Sequence, residues 1–364
     1  MKYKRKITKT VMCRDIPIGG NNPIPIQSMT NTDTRNVSAT LDQINRLKQA
    51  GCQIVRLAIP NIEAAEAFGK IRKKTDLPLV ADIHFDYRLA IAAIKNGADK
   101  VRINPGNIGS IQRVKAIVET AKSYGIPIRI GVNSGSVEKD ILLKYGGACA
   151  EGLVESALRK VEMIEDMGFD DIIISVKASD VIMNYQAYML ISEKTDYPLH
   201  IGVTESGDVQ RGTIKSSAGL GALLLNGVGD TLRVSLTGDP LAEIPVAREL
   251  LKCTGYLNAG INLISCPTCS RCRTNITSII NSLMKKIEPL EAEMMKKNLS
   301  RIDLAVMGCA VNGPGEATHA DLGVACGDGK GVIFKKGKIT DTVREADIED
   351  CLLDELKHMI SDFK

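Results

Sequence analysis

Seven residues, Cys266-Pro-Thr-Cys269-Ser-Arg-Cys272, carry three thiols at C-x2-C-x2-C spacing. Thiolates spaced this way in a turn can grip one metal centre, so the run is strong evidence for a metal site. A ferredoxin-type run would add a fourth cysteine after three more residues, but that position is Ile276. The remaining ligand must come from elsewhere, and Met307-Gly-Cys309-Ala-Val-Asn-Gly-Pro-Gly-Glu316 offers two candidates in a loop stiffened by three glycines and a proline. Four thiolates (Cys266, Cys269, Cys272, Cys309) would make a closed structural zinc site. Three thiolates with Glu316 would hold an iron–sulfur cluster with one softly bound iron, because a carboxylate can yield to a substrate where a thiolate would not. Spacing alone leaves both open. The other six cysteines are scattered singly and read as small buried thiols or incidental surface residues.

A second set of reactive residues lies at the ends of apolar runs. Side chains two apart on a strand share a face, which pairs Asp82 with His84, Arg102 with Asn104, Ser175 with Lys177 and Arg233 with Ser235. Arg129 and Asn133 are two pleats apart, and Arg56 and Glu205 end similar runs. Burying a charge costs several kcal/mol unless it is paired or meets a ligand. Internal salt bridges can absorb two of the cations, since Arg56, Arg102, Arg129, Lys177 and Arg233 face only Asp82 and Glu205. An anion held by arginine forks, most simply a phosphate or diphosphate, accounts for the surplus.

These residues need a scaffold, and the chain supplies a repeating one. Strand-like runs begin near 24, 54, 77, 100, 127, 171, 198 and 231, with helical stretches between them. Five helices close on Gly51, Gly97, Gly125, Gly168 and Gly227 shortly before the next strand. Eight βα units in roughly 240 residues predict a (β/α)8 TIM barrel over residues 1–252, with its charged strand ends at the C-terminal mouth. An added glycine-bearing loop from Gly135 to Gly147 should border that mouth. Residues 253–364 predict a smaller α/β domain that opens with the cysteine cluster. Its first helix, Ile276 to Lys297, is expected to break before Pro289.

The chain has 364 residues, 44% hydrophobic and 25% charged, which is ordinary for a globular fold. Its net charge of +4 is small and evenly spread, aromatics are only 4%, and tryptophan is absent, so neither nucleic acid nor a membrane surface is an expected partner. No run reaches a membrane span, the basic N-terminus lacks the apolar core of a signal peptide, and a cytoplasmic location is expected.

Cys-Pro-Thr-Cys combined with Met-Gly-Cys-x-Val-Asn-Gly-Pro-Gly-Glu resembles the 4-hydroxy-3-methylbut-2-enyl diphosphate synthase family in its bacterial two-domain form. Gln27-Ser-Met-Thr-Asn-Thr, Val55-Arg-Leu-Ala, Asp82-Ile-His-Phe, Val101-Arg-Ile-Asn-Pro-Gly, Arg129-Ile-Gly-Val-Asn and Gly202-Val-Thr-Glu-Ser-Gly extend the resemblance along nearly the whole chain. It implies an oxidoreductase of the methylerythritol phosphate route to isoprenoids. The reaction would be a two-electron reductive ring opening of 2-C-methyl-D-erythritol 2,4-cyclodiphosphate with loss of water. It further implies a [4Fe–4S] cluster on Cys266, Cys269, Cys309 and Glu316, with Cys272 not a ligand and flavodoxin or ferredoxin as electron donor. Substrate would be held by Arg56, Asp82, His84, Arg102, Asn104, Arg129, Asn133, Lys177, Arg233 and Ser235, with Glu205 handling a hydroxyl or its proton. A homodimer that completes the active site between subunits is also implied.

Overall fold

The computed structural model describes residues 4–272, 274–297, 299–309, 315 and 319–362, and the chain divides into two compact units, Met1–Tyr256 and Leu257–Lys364. In the first, a short antiparallel hairpin, β1 (Val11–Cys13) and β2 (Ile16–Ile18), precedes eight parallel strands. These are β3 (Gln27–Met29), β4 (Ile54–Ala58), β5 (Leu79–Asp82), β6 (Lys100–Ile103), β7 (Ile128–Asn133), β8 (Ile172–Lys177), β9 (His200–Ile201) and β10 (Thr231–Leu232). Strands β3 to β8 form one six-stranded sheet, and β9 pairs with β10. Parallel bridges between Ile174 and Leu199 and between Ile26 and Leu232 close the ring into the expected barrel.

The helices between strands form for the anticipated reasons. Val37–Gln49 buries Thr40, Gln43, Ile44 and Leu47, and its start is capped by Asn36, whose side chain accepts from the Ala39 amide. Ile111–Tyr124 buries Val114, Ile117, Val118 and Ala121, then stops at Gly125, whose φ of +62° is cheap only for glycine. The added loop after β7 folds as a 3-10 turn (Ser134–Ser136) and a helix (Lys139–Tyr145).

The β1–β2 hairpin lay outside the strands read from sequence. Its Val11, Cys13 and Ile18 join Ile54, Val80 and Ile173 in an apolar cluster at the N-terminal ends of the barrel strands. The barrel therefore has a greasy floor. At the other end of this unit the helix Glu243–Cys253 completes the last βα repeat, and the Tyr256 hydroxyl donates to the Leu224 carbonyl at 3.0 Å.

The second unit is a five-stranded sheet in the order β11 (Ile261–Ser265), β12 (Ile302–Met307), β13 (Leu322–Gly327), β14 (Lys330–Lys335) and β15 (Lys338–Arg344). The first three strands run parallel, and the last two are added as antiparallel hairpins. Helices Ile276–Lys296 and Ile348–Asp362 cover one face, burying Leu283, Ile287, Leu352 and Leu356 against Leu304, Val306 and Val324. The expected break before Pro289 does not occur, and the helix runs through it. Proline removes one amide and crowds the preceding turn, and here the apolar stripe through Leu283, Ile287 and Met294 holds the helix together across that defect.

Candidate active site

The C-terminal mouth of the barrel holds a cavity of about 300 Å3. Arg56, Asp82, His84, Arg102, Arg129, Asn133, Lys177, Glu205, Arg233 and Ser235 all line it, joined by Met29, Ser175 and Thr204. Asn104 is the one predicted barrel contact absent from that lining. Strand β6 ends at Ile103, and Asn104 turns away to cap the short helix Pro105–Ile108, accepting from the Gly106 amide at 3.2 Å. Its amide also donates to Ser136 Oγ at 3.2 Å, and that same oxygen accepts from the backbone N–H of Asn133 at 3.1 Å.

Asp82 is the hub of the cavity. Arg102 Nη1 and His84 Nε2 each lie 3.3 Å from its carboxylate, and Arg56 Nε lies 3.8 Å away. Burial pushes the carboxyl upward, but Arg56, the His84 hydrogen bond, Arg102 and Arg129 together outweigh it and hold Asp82 well below the usual carboxylate range. Arg56 also points Nε and Nη2 at Met29 Sδ, at 3.1 and 2.9 Å. Burial, opposed by Asp82 and reinforced by Arg233 and Arg102, pulls the Arg56 guanidinium down to about 10.

Arg233 has a partner that the sequence did not reveal. It makes a bidentate pair with the buried Glu243, at 2.9 and 3.1 Å, and Glu243 also accepts from Ser28 Oγ at 2.7 Å. Glu243 opens a helix ten residues after Arg233, and nothing in its spacing marks it as facing the barrel interior.

Arg129 and Lys177 have no such compensation. Arg129 is 1% exposed, with Nε and Nη1 lacking any partner, and among the described residues no carboxylate pairs with it or with Lys177. Burial and the crowd of neighbouring arginines hold Lys177 well below an ordinary lysine. The Thr204 hydroxyl is likewise buried and unpartnered. Two glycines make room for this charge: a methyl group on Gly131 would strike the Arg102 guanidinium, and one on Gly202 would strike Lys177 Nζ. Glu205 stands at the exposed rim with φ +48°, a left-handed conformation that a non-glycine residue holds only at some cost. A mouth with two buried basic side chains that lack an ion-pair partner, a rim carboxylate and an aspartate-bound histidine can hold a multiply charged anion and move a proton beside it.

In the second unit, Cys266 directly follows β11, and Gly308-Cys309 directly follow β12, its parallel neighbour. The two thiols thus leave the carboxyl ends of adjacent parallel strands, a habitual place for bound groups in α/β sheets. The Gly308 amide donates to Cys266 Sγ at 3.2 Å. Cys269 is exposed in the intervening turn, where Thr268 takes φ +59°. Cys272 lies beside them: its Sγ donates to the Thr274 carbonyl at 3.1 Å and packs over Gly308, where a β-carbon would collide with it. Cys326 is buried in the sheet core, which pushes its thiol up to about 12. Glu316 lies outside the described residues. Among the described residues no three His, Cys, Asp or Glu side chains converge as a metal cage. None of the described helices is long and apolar enough to cross a membrane.

Residues 8–248 match the GcpE TIM-barrel domain and residues 262–358 the GcpE protein C-terminal domain. A protein of Ruminiclostridium cellulolyticum is 56% identical over 98% of this chain and 99% of its own length; one of Clostridium acetobutylicum is 54% identical over 97% and 99%. A third, from Caldanaerobacter subterraneus, is 52% identical over 98% and 99%. All three carry the name 4-hydroxy-3-methylbut-2-en-1-yl diphosphate synthase (flavodoxin). Among solved structures, dihydropteroate synthase of Yersinia pestis (TM-score 0.51, 15% identity) covers 68% of this chain and 97% of its own. Type I 3-dehydroquinate dehydratase of Clostridium difficile (TM-score 0.51, 14% identity) covers 69% and 100%. At such identities these two speak for the barrel alone.

Proposed function

Because the chain belongs to the GcpE family, we propose that it is a 4-hydroxy-3-methylbut-2-enyl diphosphate synthase that opens 2-C-methyl-D-erythritol 2,4-cyclodiphosphate reductively. The reaction takes up two electrons and two protons, breaks a ring C–O bond, and releases one hydroxyl oxygen as water. The observation that carries the substrate assignment is the pair of buried basic side chains without an ion-pair partner among the described residues, Arg129 and Lys177, in a mouth otherwise built for charge.

Arg129, Lys177, Arg102 and Arg56 hold the cyclic diphosphate, and Arg233, fixed by Glu243, sets the far wall. Asp82 keeps Arg56 and Arg102 aligned and presents the His84 ring to the ligand. Asn133 and Ser235 supply neutral hydrogen bonds, and Asn104 supports Asn133 through Ser136. Glu205, on its strained turn, handles the substrate hydroxyl or its proton.

Cys266, Cys269, Cys309 and Glu316 would hold a [4Fe–4S] cluster. The residues fit such a group: Cys266 and Cys309 leave neighbouring strands, and a backbone amide already faces Cys266 Sγ. When bound, the cluster would supply single electrons at low potential and a Lewis-acidic iron, with Glu316 the more weakly held of its four protein ligands. Flavodoxin or ferredoxin delivers those electrons, and the working unit is a homodimer in which one copy's C-terminal unit serves the barrel of the other.

The test is anaerobic purification with iron, sulfide and zinc analysis, followed by turnover of the cyclic diphosphate with reduced flavodoxin. About four irons and four sulfides per chain with product formation are expected. One zinc and no sulfide after reconstitution would overturn the reading.

A further inference from the structure

Beneath the cavity the barrel interior stays polar. Gln27, Lys100 and His200 share their strand faces with Met29, Arg102 and Gly202, so each lies one pleat, about 7 Å, below the mouth. All three are 1% exposed or less. Both side-chain polar atoms of Gln27, both ring nitrogens of His200, and Lys100 Nζ lack partners. Below them lies the apolar floor made by the β1–β2 hairpin.

Buried polar atoms in native proteins are nearly always satisfied, and a lone buried ammonium is among the most costly exceptions. The groups facing Lys100 explain its state. Arg129 on β7 and Arg56 on β4 repel its charge, His200 across the barrel offers none, and among the described residues the acid that acts on it is the Cys13 thiol of the floor, itself held up at about 11 by burial. Asp99, adjacent in sequence, is turned to the Leu79 amide and Arg72. Six basic side chains (Arg56, Lys100, Arg102, Arg129, Lys177, Arg233) share this interior with two buried carboxylates, Asp82 and Glu243. Lys100 is one of them, and it does not line the cavity.

We propose that Lys100 is a positioning residue that takes a proton from solvent when a diphosphate fills the cavity above it, so that ligand binding and proton uptake are coupled. This rests on the reading of the mouth as a diphosphate site. The free interior carries more positive charge than it can neutralise, and Lys100, lacking any hydrogen bond to hold its proton, is with Lys177 among the groups that give it up. A diphosphate reverses the balance, since each negative charge at roughly 10 Å moves a buried base by about one pK unit at an effective dielectric near 20. The ammonium then draws the anion inward without touching it.

Burial and Arg129 place the free Lys100 at about 8, which sets the expected readout. Titration calorimetry of the oxidised holoenzyme with the cyclic diphosphate, without reductant, in buffers of unequal ionisation heat gives the protons taken up per ligand. Lys100 contributes about half a proton at pH 8, nearly one at pH 9 and almost none at pH 6.5. Lys100→Gln and Lys100→Met should each lose that half proton at pH 8 while Lys177 still contributes its own share. Equal uptake in the wild-type and variant proteins overturns the proposal. If neither variant folds, the wild-type curve decides, and no rise in uptake between pH 6.5 and 9 overturns it. Absence of any binding heat would instead overturn the diphosphate reading itself.

Discussion

Asp82 and Arg102 face each other as register partners on β5 and β6, with Nη1 3.3 Å from Oδ1, in a mouth where Asp82 is the carboxylate shared by Arg102, Arg56 and His84. That placement makes Asp82 the organiser of the mouth. Breaking a buried pair by neutralising one member strands the other charge, at a cost of about 3–5 kcal/mol. Asp82→Asn should therefore destabilise the fold by about 3 kcal/mol in chemical denaturation. Because Asp82 is held below its unfolded value, its contribution is complete above about pH 4 and declines only as pH falls further. The penalty should accordingly be the same at pH 5 and pH 8, and a penalty confined to alkaline pH would contradict this account.

Arg129 behaves in the opposite way. With two donors unpartnered, it costs the free protein stability and repays that only when an anion arrives. Arg129→Met should raise the melting temperature of the ligand-free protein and weaken diphosphate binding by roughly 30-fold or more. Affinity left unchanged by the substitution would remove Arg129 from the site.

Gly131 and Gly202 should tolerate no side chain. Gly131→Ala pushes on Arg102 and Gly202→Ala on Lys177, with overpacking strain of about 1–3 kcal/mol. The expected outcome is a folded barrel by circular dichroism with substrate affinity sharply reduced. A normal KM in both variants would show that the cations move aside without consequence.

Among the cysteines, Cys272→Ser should retain iron and sulfide, since that thiol is turned to the Thr274 carbonyl. Cys266→Ser, Cys269→Ser and Cys309→Ser should lose the cluster's absorbance, and Glu316→Ala should alter it while the barrel stays folded. Iron kept in Glu316→Ala and lost in Cys272→Ser would exchange the two residues' roles.

Lys100→Met should stabilise the ligand-free protein by on the order of 2–3 kcal/mol at pH 7, because it removes a buried, unpartnered ammonium. Lys100 is depressed on folding, so the unfolded chain binds the extra proton between about pH 8 and 10.5 and wild-type stability rises through that window. The gain from the substitution should shrink over the same range. A gain constant from pH 7 to 10.5 would mean that lost charge is not its source.

Much of this was legible because strand periodicity is local. The alternation that placed Asp82 beside His84, and Ser175 beside Lys177, needs only consecutive residues, and the surplus of cations followed from counting. Glu243 escaped because the loop after β10 folds the start of the last helix back against Arg233, and no strand or helix period marks that return. Asn104 was assigned inward by the same alternation, but the strand ends one residue earlier and the chain turns. The β1–β2 hairpin was missed because three-residue strands carry too little pattern to stand out. Pro289 misled because local propensity gave way to the packing of a long apolar stripe.

The hairpin that floors the barrel also has a history within each molecule. Val11, Cys13 and Ile18 reach their final neighbours only once Ile173 is in place, and the Lys6 amide waits for the carbonyl of Gly227. During synthesis, a segment made early is seated late, after more than a hundred and fifty residues have emerged behind it. Until then its apolar side chains stay unsheltered, and contacts of such long sequence separation form slowly. Assembly of this barrel should thus finish at its β1–β2 hairpin.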